Sequence, residues 1–171
     1  MTAAVGESNA ASIREERVYD GPVDDLWQLW TTKEGLSEWF GPEGVDVEVT
    51  ELELRVGGSF VHVGTAVGAS EIAYVESAGR SRSTRVSGRF VEIVYHQRLR
   101  IEFSVDFLPG VEPYPYVMAV EFRPEGQQVR MIVTADRHPD AEMTRLARLG
   151  LSSQLRRFDR ALARREKEQQ A

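Results

Sequence analysis

The residues able to do chemistry in this chain are few and scattered. The three histidines, His62, His96 and His138, fall on a strand pattern, in a turn and just ahead of a helix. They make no His-x-His or His-Glu-x-x-His spacing, so no metal centre is expected. There is no Gly-x-Ser-x-Gly elbow and no cysteine, which removes the commonest nucleophiles together with disulfides. Gly57-Gly58 lacks the lysine and the following helix of a phosphate loop. What remains is acid–base or binding work by single polar groups against an apolar wall. His62 shares a parity with Phe60: either it points inward, where a neutral imidazole can act as a base, or it is a surface histidine on a half-exposed strand. Glu92, between Val91 and Ile93, is either a carboxylate of raised pKa in an apolar pocket or an exposed glutamate. Tyr116 and Gln154 are hydrogen-bonding groups for a ligand, or else rim and surface. The candidate catalytic groups are therefore His62, Glu92 and Tyr116, with no cofactor implied.

The apolar residues make the stronger pattern. Phe103, Val105 and Phe107, then Tyr116, Met118 and Val120, then Met131 and Val133, are expected to converge on one space with Met143, Leu146 and Gly150. Trp39 and Phe40 would stand at its entrance, and Phe60, His62 and Gln154 complete the candidate ligand-binding set. Core packing accounts for most of these residues. The functional reading rests on methionine, which adapts to irregular partners, and on a glycine in mid-helix, which costs about 1 kcal/mol relative to alanine.

These groups must be positioned by elements that the spacing predicts. Residues 1–12 are small and polar and read as a flexible terminus. A first strand over Ile13 to Tyr19 meets the turn Asp20-Gly21-Pro22, and Pro22 suits the first position of a helix carrying Leu26, Trp27, Leu29 and Trp30. Thr32 is placed to cap a second short helix that holds Leu36, Trp39 and Phe40 and stops at Gly41-Pro42. The period then changes to two. Val45, Val47 and Val49 alternate with polar residues, and Leu52 and Leu54 fall in the opposite phase, which predicts a bulge near Thr50-Glu51. Gly57-Gly58 reads as a tight hairpin turn into Ser59 to Val63. Gly64 to Thr84 is hard to read, with a candidate strand over Ile72 to Val75 and an exposed arginine-serine loop over Gly79 to Arg85. Strands over Gly88 to Tyr95, Leu99 to Phe107, Tyr116 to Phe122 and Val129 to Ala135 follow. Asp140 then opens a long helix to about Arg164, with an apolar stripe of Met143, Leu146, Ala147, Gly150, Leu151, Leu155, Phe158 and Leu162. Residues 166–171 are expected to fray. The fold class is α+β: a curved antiparallel sheet wrapped around one long C-terminal helix, with a single domain over 13–165. A curved sheet around one helix tends to leave room for a ligand between them.

Composition narrows the function classes. At 171 residues, 42% hydrophobic and 28% charged, the chain reads as one globular domain. No apolar run approaches the roughly 20 residues of a bilayer-spanning helix. The first residues lack the basic start and apolar core of a signal peptide, so the expectation is cytoplasmic, with no membrane insertion. Net charge is −6, but the segment from Arg145 to Glu168 holds eight basic and three acidic residues. A basic helix is either a nucleic-acid or membrane contact or a solvated face. The acidic remainder would repel phosphate, so the solvated face is preferred and no nucleic acid is expected.

Several motifs in order resemble a known family. Val18-Tyr19-Asp20-Gly21-Pro22, then Trp27 to Thr31 with its Trp-x-x-Trp-Thr spacing, then Trp39-Phe40-Gly41-Pro42 are similar to the opening of the START-like (SRPBCC) branch named after the activator of heat-shock-protein-90 ATPase. Glu53 to Phe60 resembles that branch's Gly-Gly hairpin, and Gly88 to Ile93 with Arg98-Leu99 its Gly-x-Tyr-x-Glu-Ile strand. The resemblance spans roughly Arg14 to Ala163. It departs where the family often has His-x-x-Gly-Trp on the last helix, here Ala147, Gly150 and Leu151, and where a histidine is usual near Ala135-Asp136. The resemblance implies the helix-grip fold and a ligand-binding habit, not one reaction. Three functions are in view: binding of a small apolar or aromatic molecule; a cyclase- or hydrolase-like enzyme; and a chaperone-partner interaction module. A homodimer is left open.

Overall fold

The computed structural model describes residues 12–171. The expected flexible segment therefore lies, but for Ser12, outside the described residues. Strand β1 (Ile13–Asp20) leads through Gly21-Pro22 into helices α1 (Val23–Thr31) and α2 (Lys33–Trp39). A meander follows: β2 (Val45–Leu52), β3 (Ser59–Ala66), helix α3 (Ala69–Ser77), β4 (Ser83–Val94), β5 (Arg98–Val105), β6 (Tyr114–Glu125) and β7 (Gln128–Ala135). Helix α4 (Ala141–Gln170) completes the chain. The seven strands form one sheet in the order β1-β7-β6-β5-β4-β3-β2, antiparallel throughout. This is the helix-grip fold, with α4 gripped on the inner face.

Local chemistry explains most boundaries. Pro22 sits at the N-cap of α1, one residue earlier than expected, with no side-chain cap of its own. The Thr32 hydroxyl accepts from the Gly35 amide at the start of α2, and the Asp140 carboxylate accepts from the Met143 amide at the start of α4. The phase change in β2 is a register shift between Val49 and Glu51, which returns Leu52 to the inner side. In β5, Leu99, Ile101, Phe103 and Val105 are buried while the alternate residues Arg98 and Arg100 are exposed.

The structure corrects three readings. Ile72 to Val75 is helical, within α3. β-branched residues favoured a strand there, but Ala69, Glu71, Ala73 and Glu76 are helix formers and nothing pairs with the segment. Gly57-Gly58 closes a loop over 53–58 rather than a two-residue hairpin; Gly57 takes φ +83° and Gly58 packs against the Glu53 carbonyl. Helix α4 runs on to Gln170, beyond the stop expected near Arg164.

The core divides into two zones along α4. Its C-terminal half buries Leu151, Leu155, Phe158, Ala161 and Leu162 and packs on α1, α2 and β1. There Trp30 and Trp39 meet at 4.6 Å between ring centroids, and Phe158 stands 5.0 Å from Trp39. The Trp39 indole donates to the Leu29 carbonyl at 2.8 Å, and the Trp30 indole points at the Met131 sulfur. In the N-terminal half, Met143, Leu146, Ala147 and Gly150 are only half-buried.

Candidate functional site

A cavity of about 420 Å³ lies under the N-terminal half of α4. Its floor is the inner face of β5 and β6, with Phe103, Val105, Tyr116 and Met118; its roof is Met143, Leu146, Ala147, Gly150 and Leu151. Phe40 and Pro42, just after α2, form one side, and Tyr74, Arg80 and Phe107 form the rim. A smaller recess of about 190 Å³ adjoins it, sharing Phe40, Pro42, His62, Arg80, Val86, Phe107 and Gln154 and reaching Val45 and Val47 on β2. No helix among the described residues is long and apolar enough to cross a membrane, so this apolar surface is not part of a helical membrane span.

Gly150 explains part of the space. A Cβ built there would meet nothing within 4 Å. The glycine therefore does not serve a close helix–sheet contact; it faces open volume. Ala147 and Leu151 beside it stand where the resembled motif places histidine and tryptophan, and smaller side chains leave the chamber wide.

The sequence-level candidates separate cleanly. Phe40, His62, Phe103, Val105, Phe107, Tyr116, Met118, Met143, Leu146, Gly150 and Gln154 all border the cavity. Trp39, Phe60, Val120 and Met131 do not: each is at most 1% exposed and lies in the packed core. Trp39 is thus an anchor rather than an entrance residue, because its indole N–H is already committed to a backbone carbonyl. Glu92 is outside the cavity lining, where it forms an ion pair with Arg98. The β4 register shift between Phe90 and Glu92 puts Phe90 in the core instead. Sequence reasoning missed Arg80, Tyr74 and His138. The first two sit in and beside the misread α3 segment. His138, in the loop before α4, stacks on Tyr116 with ring centroids 4.3 Å apart and pairs through Nδ1 with the Tyr114 hydroxyl at 2.5 Å.

The polar groups of the site have distinct electrostatics. His62 is 9% exposed, ringed by Phe40, Phe60 and Phe103 at 5.1 to 5.8 Å. Burial in that apolar setting pushes its pKa down to about 4, so it is neutral at physiological pH. Burial also lowers the pKa of His138, with the Asp136 and Asp140 carboxylates working the other way. The Tyr116 hydroxyl is pushed up, by burial first and then by Asp136. A proton acceptor whose conjugate acid has a pKa of about 4 is a weak base near neutrality. Among the described residues no three His, Asp or Glu side chains gather as a metal site. Among the described residues, three buried side-chain polar atoms have no hydrogen-bond partner: His62 Nδ1, Arg80 Nε and Gln154 Oε1. All three belong to residues that border the smaller recess. Buried polar atoms are seldom left unpaired, which sets the residues around this recess apart from the rest of the interior.

Elsewhere several arginines of α4 are engaged within the molecule. Arg157 donates through one nitrogen to the carbonyls of Gly41, Pro42 and Val45, at 2.8, 3.0 and 2.8 Å. Arg160 pairs with Glu43 and Arg164 with Glu38. The basic helix thus ties itself to the Gly41-Pro42 turn and to α2.

Solved structures share this architecture. A protein of Chromobacterium violaceum aligns at a TM-score of 0.71 with 21% identity, covering 87% of this chain and 94% of its own. One from Arthrobacter aurescens gives 0.72 at 18% identity, covering 96% and 93%. One from Silicibacter pomeroyi gives 0.69 at 22%, covering 90% and 98%. At these identities the likeness is one of fold. No curated protein matches the sequence. The model of the family described as activator of Hsp90 ATPase homolog 1-like protein matches residues 20–163, from the end of β1 to well into α4. With its motifs, its helix-grip architecture and that match over most of its length, the chain belongs to the activator of Hsp90 ATPase homolog 1-like family of the START-like superfamily.

Proposed function

We propose that this protein binds a small apolar or aromatic molecule in the chamber between the sheet and the N-terminal half of α4. The carrying observation is the chamber itself: about 420 Å³, walled by aromatic, aliphatic and methionine side chains, and roofed at Gly150 by open space. That volume lies within the range of roughly 300–1,000 Å³ usual for small-molecule sites. A thermal-shift screen with aromatic and lipid-like compounds tests the reading. A binder present at about a hundred times its dissociation constant stabilises the folded state by about 2.7 kcal/mol, which moves the melting temperature by several degrees. Gly150→Phe, which fills the chamber from the roof, is expected to abolish that shift while leaving the protein folded. A screen in which no compound stabilises the wild type would count against the binding reading.

Two other readings have less support. An acid–base enzyme would draw on His62 with Tyr116, but a histidine whose pKa falls to about 4 is suited to hydrogen bonding rather than to proton abstraction. Retention of full turnover of an identified substrate by His62→Ala would remove it. The family description names activation of a chaperone ATPase. For this chain the basic face of α4, one surface a protein partner could use, is partly engaged by Glu38, Glu43 and the Gly41-Pro42 turn. Pull-down with the chaperone as prey is the direct check.

A further inference from the structure

Resting on that binding reading, we infer that the ligand is an amphipathic anion: its apolar body fills the chamber, and its carboxylate occupies the adjoining recess, held by Arg80 with His62 and Gln154. Among the described residues Arg80 makes no ion pair and no side-chain hydrogen bond, its Nε is buried without a hydrogen-bond partner, and its guanidinium lies 5.1 Å from the Phe107 ring centroid. Most arginines of this protein behave differently. Arg82, two residues on and bordering the same recess, is clamped to Glu76 by two hydrogen bonds. No aspartate or glutamate lines either the chamber or the recess. The cavity therefore carries one uncompensated positive charge on an apolar wall, the arrangement in which a guanidinium binds a carboxylate most strongly. The ring of Phe107 fixes the guanidinium plane from one side, which leaves its edge for the ligand.

The other two orphaned groups fit the same headgroup. His62 is a neutral imidazole that carries one N–H and one acceptor nitrogen, and the Gln154 amide offers both a donor and an acceptor. Neither repels an anion, and each can share its second oxygen or the adjacent polar atom of the molecule. Arg80 alone supplies the charge. The larger chamber beyond, floored by Phe103 and Met118, offers only apolar contact for the rest of the molecule.

The test compares naphthoate with its uncharged analogue naphthamide, titrated calorimetrically into the full chain and into Arg80→Met, Arg80→Lys and Gly150→Phe variants. Because a charge-assisted hydrogen bond strengthens binding by about tenfold or more, the wild type is expected to prefer naphthoate by at least that factor. Arg80→Met should erase the preference and leave naphthamide affinity within about twofold, while Arg80→Lys should keep part of it. Gly150→Phe should lose both ligands. Since the guanidinium meets only the Phe107 ring, a contact that a methionine side chain can replace, Arg80→Met should melt within a few degrees of the wild type. Equal binding of the two probes to the wild type, or a preference that survives in Arg80→Met, would overturn the anionic headgroup while leaving the chamber as a binding site. Binding of neither probe would count against both the headgroup and the chamber.

Discussion

The two halves of α4 face the same sheet and do opposite things. From Leu155 onward the inner face of the helix is sealed: Leu155, Phe158 and Ala161 have no exposed surface, and Trp30 and Trp39 pack against Phe158. Ahead of Leu151 the apolar stripe continues at the same spacing, yet Met143, Leu146 and Ala147 remain half-buried over a cavity. The difference lies in what stands opposite. The tryptophans of α1 and α2 reach only the C-terminal half. The N-terminal half is met by the floor strands β5 and β6 and, at the sides, by Phe40, Pro42, Tyr74 and Arg80, none of which fills the space beneath it. Stability is concentrated in one half and adaptability in the other.

Substitution should separate the halves. Trp39→Ala removes a fully buried ring and leaves the Leu29 carbonyl without its donor, so a loss of about 3–5 kcal/mol is expected in denaturant unfolding. Leu146→Ala, over the cavity, should cost about 1 kcal/mol or less while changing ligand affinity. Similar losses at the two positions would erase the distinction.

Acid should reveal the cavity half next. The His62 pKa lies near 4 in the folded protein against an ordinary 6.5. A depressed folded value means that the unfolded chain takes up the proton first. The contribution is therefore intact above about pH 6.5 and is lost as the pH falls towards 4, by up to roughly 3 kcal/mol. Urea unfolding of wild type and His62→Leu across that window should show a shallower decline in the variant. Parallel profiles would mean that His62 is not buried as a neutral group.

The boundary between the halves depends on Arg157, whose guanidinium bridges α4 to the chain just after α2. Arg157→Met should destabilise by about 2 kcal/mol, because it leaves three carbonyls without a charged donor. The smallest effect is opposite in sign. Gly150→Ala should stabilise by up to about 1 kcal/mol, since the methyl group meets no atom and glycine is a poor helix former. A destabilised Gly150→Ala would show that the roof is closed rather than open.

Much of the cavity lining was legible before the structure. Phe103, Val105 and Tyr116, Met118 were placed together by strand parity, and Met143, Leu146 and Gly150 by helical spacing. Parity also drew in Val120, Met131 and Phe60, which point to the same face but into packed core rather than into the cavity. Arg80 escaped notice because an arginine in a run of serine and arginine reads as a solvated loop. His138 was read only as a residue ahead of a helix, since stacking on Tyr116 joins elements that are 22 positions apart.

The sequence by itself determined which residues turn inward, where α1, α2 and α4 start, where β2 slips by one and which motifs place the chain in its family. These follow from neighbours within a few positions, through caps, periods and turns. The tertiary structure alone decided which inward residues meet a partner and which meet a void. It also folded Ala69–Ser77 as a helix and brought His62, Arg80 and Gln154 to one recess. Periodicity states that a face is covered; the distance to the opposite wall, which separates a core from a cavity, is set by the curvature of the whole sheet.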